Sequence, residues 1–130
     1  MVKKIFSSRA TSFRHAFLGW HYVFRTQKNA WIQSAIATGV FVLGLWLHLP
    51  PHDWAVIILT TAVVFAAEFM NTAIEAVVDL ASPEPHPLAK IGKDVGAAAV
   101  LVAALAAILI GFLLLGPPLW AKLSTLIPNP

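Results

Sequence analysis

Four side chains near the middle of the chain could share one chemical task. Glu68, Asn71, Glu75 and Asp79 follow one another at intervals of three, four and four residues. At about 100° per residue on an α-helix their directions fall within roughly 80°, so one face carries three carboxylates and an amide. Oxygen donors of this kind suit Mg²⁺, which keeps several waters and binds through one or two carboxylates together with substrate phosphates. A carboxylate in the same row can instead act as a general base towards a hydroxyl presented to it. The plainer reading is that acids near a helix end are solvated or paired with Lys90, Lys93 or Arg25, and for Asp79 alone that reading is preferred.

The segment that follows adds cations to these acids. Residues 81–94 read ASPEPHPLAKIGKD, with three prolines that brace a loop and exclude a helix from its first half. Lys90 and Lys93 offer point charges for phosphate, and Lys93 and Asp94 lead directly into the next apolar run. No GxxxxGK(S/T) or GxGxxG motif occurs, so a nucleotide would have to be held without a glycine-rich loop. His48 and His52 are four apart, but Pro50 and Pro51 between them break the helical register a metal pair would need. They read as polar caps.

The elements that position these residues follow from composition. Of 130 residues, 58% are hydrophobic and 12% are charged, about half the charged share of a soluble domain. A disordered tail or a nucleic-acid arm needs the opposite balance, so no nucleic-acid partner is expected. The absence of cysteine removes disulfide scaffolds, thiolate metal sites and thiol nucleophiles. The expectation is an all-α membrane protein forming one domain over 1–130. Spans of about 20 apolar residues are found at about 30–49, 54–81 and 94–115, the last stopped by Gly116, Pro117 and Pro118. Glycine and alanine in the third span, from Gly96 to Ala107, read as a close-packing face.

Before the first span, at about 5–27, Lys3, Lys4, Arg9, Arg14 and Arg25 are interleaved with Phe6, Phe13, Phe17, Trp20 and Phe24. Four of these aromatics recur at helical spacing, which predicts an amphipathic helix at the membrane surface. A secretory signal is excluded because no apolar stretch follows the first lysines. The N-terminal segment and the loop between the second and third spans hold nearly all the Lys and Arg, which places the N-terminus in the cytoplasm and the C-terminus outside the inner membrane. Trp46, Trp54 and Trp120 then fall at the outer end, and Trp20 and Trp31 at the inner. Entering from outside at Trp54, the second span carries Glu68 roughly 21 Å along its axis, near the inner edge of the hydrocarbon. Ionisable groups at that depth are functional candidates by default.

Glu68-Phe-Met-Asn71-Thr-Ala-Ile-Glu75-Ala-Val-Val-Asp79, His86-Pro-Leu-Ala-Lys90 and Lys93-Asp94-Val-Gly-Ala-Ala-Ala-Val together resemble the signature of the small prokaryotic integral-membrane diacylglycerol kinase and undecaprenol kinase family. The pattern E-x-x-N-(S/T)-A-I-E-x-x-x-D with a later K-D-x-x-(A/S/G)-A-A-V is specific, and the resemblance runs from about Ser12 to Leu115. It implies three spans and a surface helix per protomer, a homotrimer with active sites between subunits, and transfer of phosphate from ATP, with Mg²⁺, to a lipid alcohol in the bilayer. It implies Glu68 as the general base, Asn71 and Asn29 as supporting residues, and Glu75 as the metal ligand that also meets the nucleotide. Lys93, Asp94, Glu84 and His86 would contact the nucleotide, and Asp79 would support the site. Such sparse machinery suits phosphoryl transfer, which rests on positioning and charge neutralisation.

The chain also departs from the family pattern. Gln27 stands where many members have a second metal carboxylate, so either its carbonyl coordinates or the metal rests on Glu75 alone. His15 and Gln33 likewise replace a Tyr and a Glu or His found in other members. The wording of the motifs lies closer to the undecaprenol kinase and cyanobacterial branch, giving undecaprenol a slight preference over diacylglycerol. The rival readings are a small oligomeric channel or transporter lined by the acidic stripe, and a non-enzymatic membrane assembly subunit; neither needs Lys93-Asp94 or the proline-braced loop.

Overall fold

The computed structural model describes residues 2–126, with side chains described from Thr11 onward. The side chains of Lys3, Lys4, Phe6 and Arg9 lie outside the described residues. The chain forms α1 (Val2–Thr26), α2 (Lys28–Leu47), α3 (Pro51–Ala81) and α4 (Pro87–Ser124). Of these α2, α3 and α4 are long and apolar enough to cross a membrane.

Each break in the helices has a local cause. Only Gln27 separates α1 from α2; its backbone is extended, at φ −105° and ψ 111°, while its N–H still closes the last turn of α1 on Val23 O at 2.8 Å. The Trp31 indole crosses the break and donates to Phe24 O at 2.8 Å, satisfying a carbonyl that the helix end would otherwise orphan. At the other end of α2, His48 adopts a left-handed conformation with φ 56°, and the His48 and Leu49 N–H groups close on Leu45 O and Gly44 O, both at 3.2 Å. This is the usual way a helix turns away from its own axis, with His in place of the more common Gly. Pro50 and Pro51 then open α3 where a missing N–H costs nothing.

Two boundaries of α4 differ from the sequence expectation. The helix begins at Pro87 rather than near Asp94, because proline at the first helical position is preset for the helix and the His86 ring accepts the Leu88 N–H at 3.2 Å. It also runs through Gly116, Pro117 and Pro118 to Ser124 instead of stopping there. A membrane helix can carry proline where its surroundings re-satisfy the freed backbone. Here the far end is also tied down: the Lys122 ammonium donates to Trp46 O at 2.5 Å and lies 4.3 Å from the centroid of the Trp46 ring.

The helices differ in length in a way that exposes one end of the bundle. At about 1.5 Å per residue, α2 measures ~30 Å, against ~46 Å for α3 and ~57 Å for α4. Gln27, just before α2, lies level with Glu75, so the end of α3 and the first turns of α4 project beyond α2. The most extensive packing is between α3 and α4, with α2 leaning on both. A small core of Leu49, Ile57 and Leu115, flanked by Phe41 and Trp54, closes the end where α2 meets α3. At the opposite end Trp20 of α1 stacks on Phe24 and on Phe65 of α3 and meets Phe69 edge-on at 5.2 Å, which docks the helix on the bundle. The predicted aromatic stripe of α1 therefore divides, with Trp20 and Phe24 on α3 and Phe13 and Phe17 left exposed. Many large apolar side chains of the spans are exposed, Leu113 of α4 by 74%, a surface made for lipid or other protomers rather than water.

Candidate active site

Glu68 is the largest fully buried side chain among the described residues, 1% exposed in a helix whose neighbours are chiefly apolar. Its carboxylate has one anchored and one open oxygen. Gln33 of α2 donates its amide to Oε2 at 3.1 Å, while Oε1 is buried with no hydrogen-bond partner. The next turn holds the backbone: Thr72 Oγ1 donates to Glu68 O at 2.9 Å. A buried acceptor without a donor is costly, which makes Glu68 Oε1 the atom of this carboxylate with unused capacity to accept an O–H.

One and two turns on, Asn71 and Glu75 form a second polar group with Gln27. Asn71 Nδ2 donates to Glu75 Oε1 and Gln27 Nε2 to Glu75 Oε2, each at 3.2 Å, so two amides hold the half-buried carboxylate. The carbonyl oxygen of Asn71 is buried and unpartnered, pressed against the backbone of α4 at Gly96. A Cβ at Gly96 would meet that oxygen, which is why α4 carries glycine at this crossing. The half-buried Glu75 carboxylate keeps lone pairs beyond those its two amide donors use, and such an oxygen ligand fits a hard divalent cation that brings its own waters and phosphates. Among the described residues no three His, Asp or Glu side chains cluster tightly enough to hold a metal by themselves, so a bound cation would have to draw ligands from elsewhere.

The remaining candidates lie farther out. Asp79 continues the stripe and pairs with Lys93 of α4 at 2.5 Å, and Lys90 pairs with Asp94 at 2.5 Å on the same helix. Glu84 and His86 occupy the exposed connector: the Glu84 carbonyl accepts from Ser82 Oγ at 2.9 Å, and His86 caps α4. Asn29 is exposed in the first turn of α2. Among the described residues, no hydrogen bond or ion pair links Glu84, His86, Asp94 or Asn29 to Glu68 or Glu75. The residue whose part was not foreseen is Gln33, which in the sequence stands out only as a departure from a family pattern. Its signal was present: it is the only amide in the apolar run from Ala30 to Leu47.

The model of the prokaryotic diacylglycerol kinase family matches residues 14–115. The chain belongs to this family. It is 46% identical over 109 residues to a diacylglycerol kinase of Synechocystis sp., a match covering 83% of this chain and 62%, less than two thirds, of that protein. An undecaprenol kinase of Bacillus subtilis is 40% identical over 108 residues, 83% of this chain and 88% of the relative. A diacylglycerol kinase of Escherichia coli is 33% identical over 116 residues, 84% and 95%. These relatives are lipid kinases by name, and the resemblance read from the acidic stripe and the Lys93-Asp94 segment is borne out at the level of the family.

Proposed function

We propose that the protein transfers the γ-phosphoryl group of ATP to the hydroxyl of a membrane lipid alcohol at the cytoplasmic face of the inner membrane, with undecaprenol preferred over diacylglycerol. The observation that carries this reading is the buried Glu68 carboxylate, with one oxygen held by Gln33 and the other open, two turns from an amide-braced Glu75. Glu68 Oε1 accepts the proton of the lipid hydroxyl as the oxygen attacks phosphorus. Gln33 fixes the other oxygen and so aims the base. Glu75, held by Gln27 and Asn71, is the residue that would hold Mg²⁺. When bound, the ion neutralises the charge of the ATP phosphates. Gln27 acts here as a donor that steadies Glu75.

Lys93 and Asp94 serve the nucleotide on exchange of partners. The side chains of the Lys93–Asp79 pair are 38% and 65% exposed, and those of the Lys90–Asp94 pair 77% and 61%. Pairs this exposed contribute about 1 kcal/mol or less, so polyphosphate can displace them. Glu84 and His86 line the approach from the connector, Asp79 supports the lysine, and Asn29 stands at the head of α2. The basic residues Arg14, Arg25, Lys28, Lys90 and Lys93 support an N-terminus and an α3–α4 connector in the cytoplasm, with the C-terminus outside and α1 along the inner surface. A homotrimer would cover the apolar faces of α4 that one chain leaves exposed.

The test is transfer of radiolabel from ATP, with Mg²⁺, to undecaprenol and to diacylglycerol in parallel. Transfer to undecaprenol at the higher rate is expected; transfer to neither lipid contradicts the reading. Family membership and the anchoring of Glu68 by Gln33 favour this enzyme over an oligomeric channel with an acidic lining.

A further inference from the structure

Gln27 is held from two sides. Its backbone N–H closes the last turn of α1 on Val23 O at 2.8 Å, and its side-chain amide crosses to α3 and donates to Glu75 Oε2 at 3.2 Å. It is also the single residue between α1 and α2, extended at φ −105° and ψ 111°. The two soft dihedrals at such a break leave the side chain free to wander unless the helix behind it is fixed. That helix is fixed: between ring centroids Trp20 lies 6.4 Å from Phe65 and 5.2 Å from Phe69, Phe24 lies 6.3 Å from Phe65, and Val23 is buried. Trp20 and Gln27 are seven residues apart, ~10 Å along a helix axis, and Phe69 and Glu75 are six apart, ~9 Å. The last two turns of α1 therefore meet α3 at two points of matching spacing, an aromatic one and an amide one. Trp31 stiffens the corner, with its ring edge-on to Phe24 at 5.5 Å and its indole N–H on Phe24 O.

We propose that Trp20 is a positioning residue for the cation site: the docking of α1 on Phe65 and Phe69 sets, through Gln27, how the Glu75 carboxylate is presented to a divalent cation. The inference rests on the assignment of Glu75 as the cation ligand above. A glutamine side chain has many rotamers, and aiming one at a carboxylate costs less when its backbone is already fixed. With α1 docked, two amides hold the two Glu75 oxygens; with α1 released, Asn71 alone holds Oε1 and the carboxylate is free to turn. Partners that orient a ligand carboxylate from behind change metal affinity by about ten- to a hundredfold. Glu68 is held from α2 by Gln33, a path that does not pass through α1, so the effect falls on cation affinity rather than on the rate at saturation.

The test measures Mn²⁺ binding by the full-length protein in phospholipid nanodiscs, from the loss of the free-ion EPR signal, beside the Mg²⁺ concentration that gives half-maximal phosphotransfer. Trp20→Ala should weaken Mn²⁺ binding and raise the half-maximal Mg²⁺ concentration, each by about tenfold, with the rate at saturating Mg²⁺ within about twofold of the parent. Gln27→Ala should weaken binding to a similar extent, and the double variant should bind no more weakly than Gln27→Ala alone, because both substitutions break one path. Trp20→Phe, which keeps a ring against Phe69, should restore binding to within about twofold of the parent. Trp31→Phe keeps a ring at the corner and removes only the indole donor; it carries the test if Trp20→Ala does not fold, and should weaken Mn²⁺ binding by about threefold or more. Parent-like binding by Trp20→Ala, or by Trp31→Phe in its place, would overturn the proposal and show that α2 by itself fixes Gln27. Additive losses in the double variant, or a fall in the saturated rate with Mn²⁺ affinity unchanged, would overturn it too. Glu75→Gln separates the two readings: if it binds Mn²⁺ like the parent, the cation assignment fails and this proposal with it, whereas loss of binding in Glu75→Gln with parent-like binding in Trp20→Ala removes only the role of α1.

Discussion

Glu68 lies where a carboxylate is expensive, and its two oxygens are treated differently by the fold. Gln33 holds one and nothing holds the other. Glu68→Gln keeps the shape and the Gln33 contact but removes the proton acceptor, so phosphotransfer should fall by about 10²-fold to 10⁴-fold while the helices and the oligomer persist, as followed by initial rates and size-exclusion chromatography. Glu75→Gln should act through the cation: the Mg²⁺ concentration giving half-maximal rate should rise about tenfold or more, and an unchanged Mg²⁺ requirement would remove Glu75 from that role. Gly96→Ala should displace Asn71 and cost roughly 1–3 kcal/mol, seen as a lower midpoint in thermal unfolding, because the new Cβ meets the Asn71 carbonyl oxygen. The acidic stripe was legible from spacing alone, since three and four residues are the helical intervals. Gln33 was not, because its partner is 35 residues away and only the packing of α2 on α3 brings them together.

At the scale of elements, charge and hydropathy located the three long apolar helices because a membrane demands about 20 apolar residues in a row. The ends were harder to place. Proline reads as a breaker at residues 85–87 and again at 117–118, yet Pro87 opens α4 and Pro117 and Pro118 lie within it. What proline does depends on whether a neighbour compensates, and that is a tertiary fact. Lys122, from the last turn of α4, reaches a carbonyl of α2 and the face of Trp46. Lys122→Ala should therefore lower stability by roughly 1 kcal/mol, measured as a shift in the unfolding midpoint in detergent, with little change in phosphotransfer because the contact lies at the far end of the bundle from Glu68. Loss of activity without loss of stability would place Lys122 in a different role.

Across the whole molecule, a single chain buries few side chains and leaves its apolar spans open. Burial of a carboxylate against this background is achieved by three elements at once: α2 supplies Gln33, α3 supplies Glu68 and Thr72, and α4 supplies the close approach at Gly96 to the neighbouring Asn71. The aromatic cluster of Trp20, Phe24, Phe65 and Phe69 docks α1 on α3 on either side of the Glu68 position. Glu68, Glu75, Lys90 and Lys93 then lie toward the same end of the bundle. An impermeant maleimide should label cysteines introduced at Ser8 and at Ser82 from the cytoplasmic side and one at Ser124 from the outside; the reverse pattern would invert the orientation. The most direct measurement of the central claim is the initial rate of radiolabel transfer from ATP to undecaprenol by the parent protein and by Glu68→Gln in the same vesicles. Transfer by the parent with loss of at least about 10²-fold in the variant is predicted; equal rates in the two would show that the buried carboxylate is not the base.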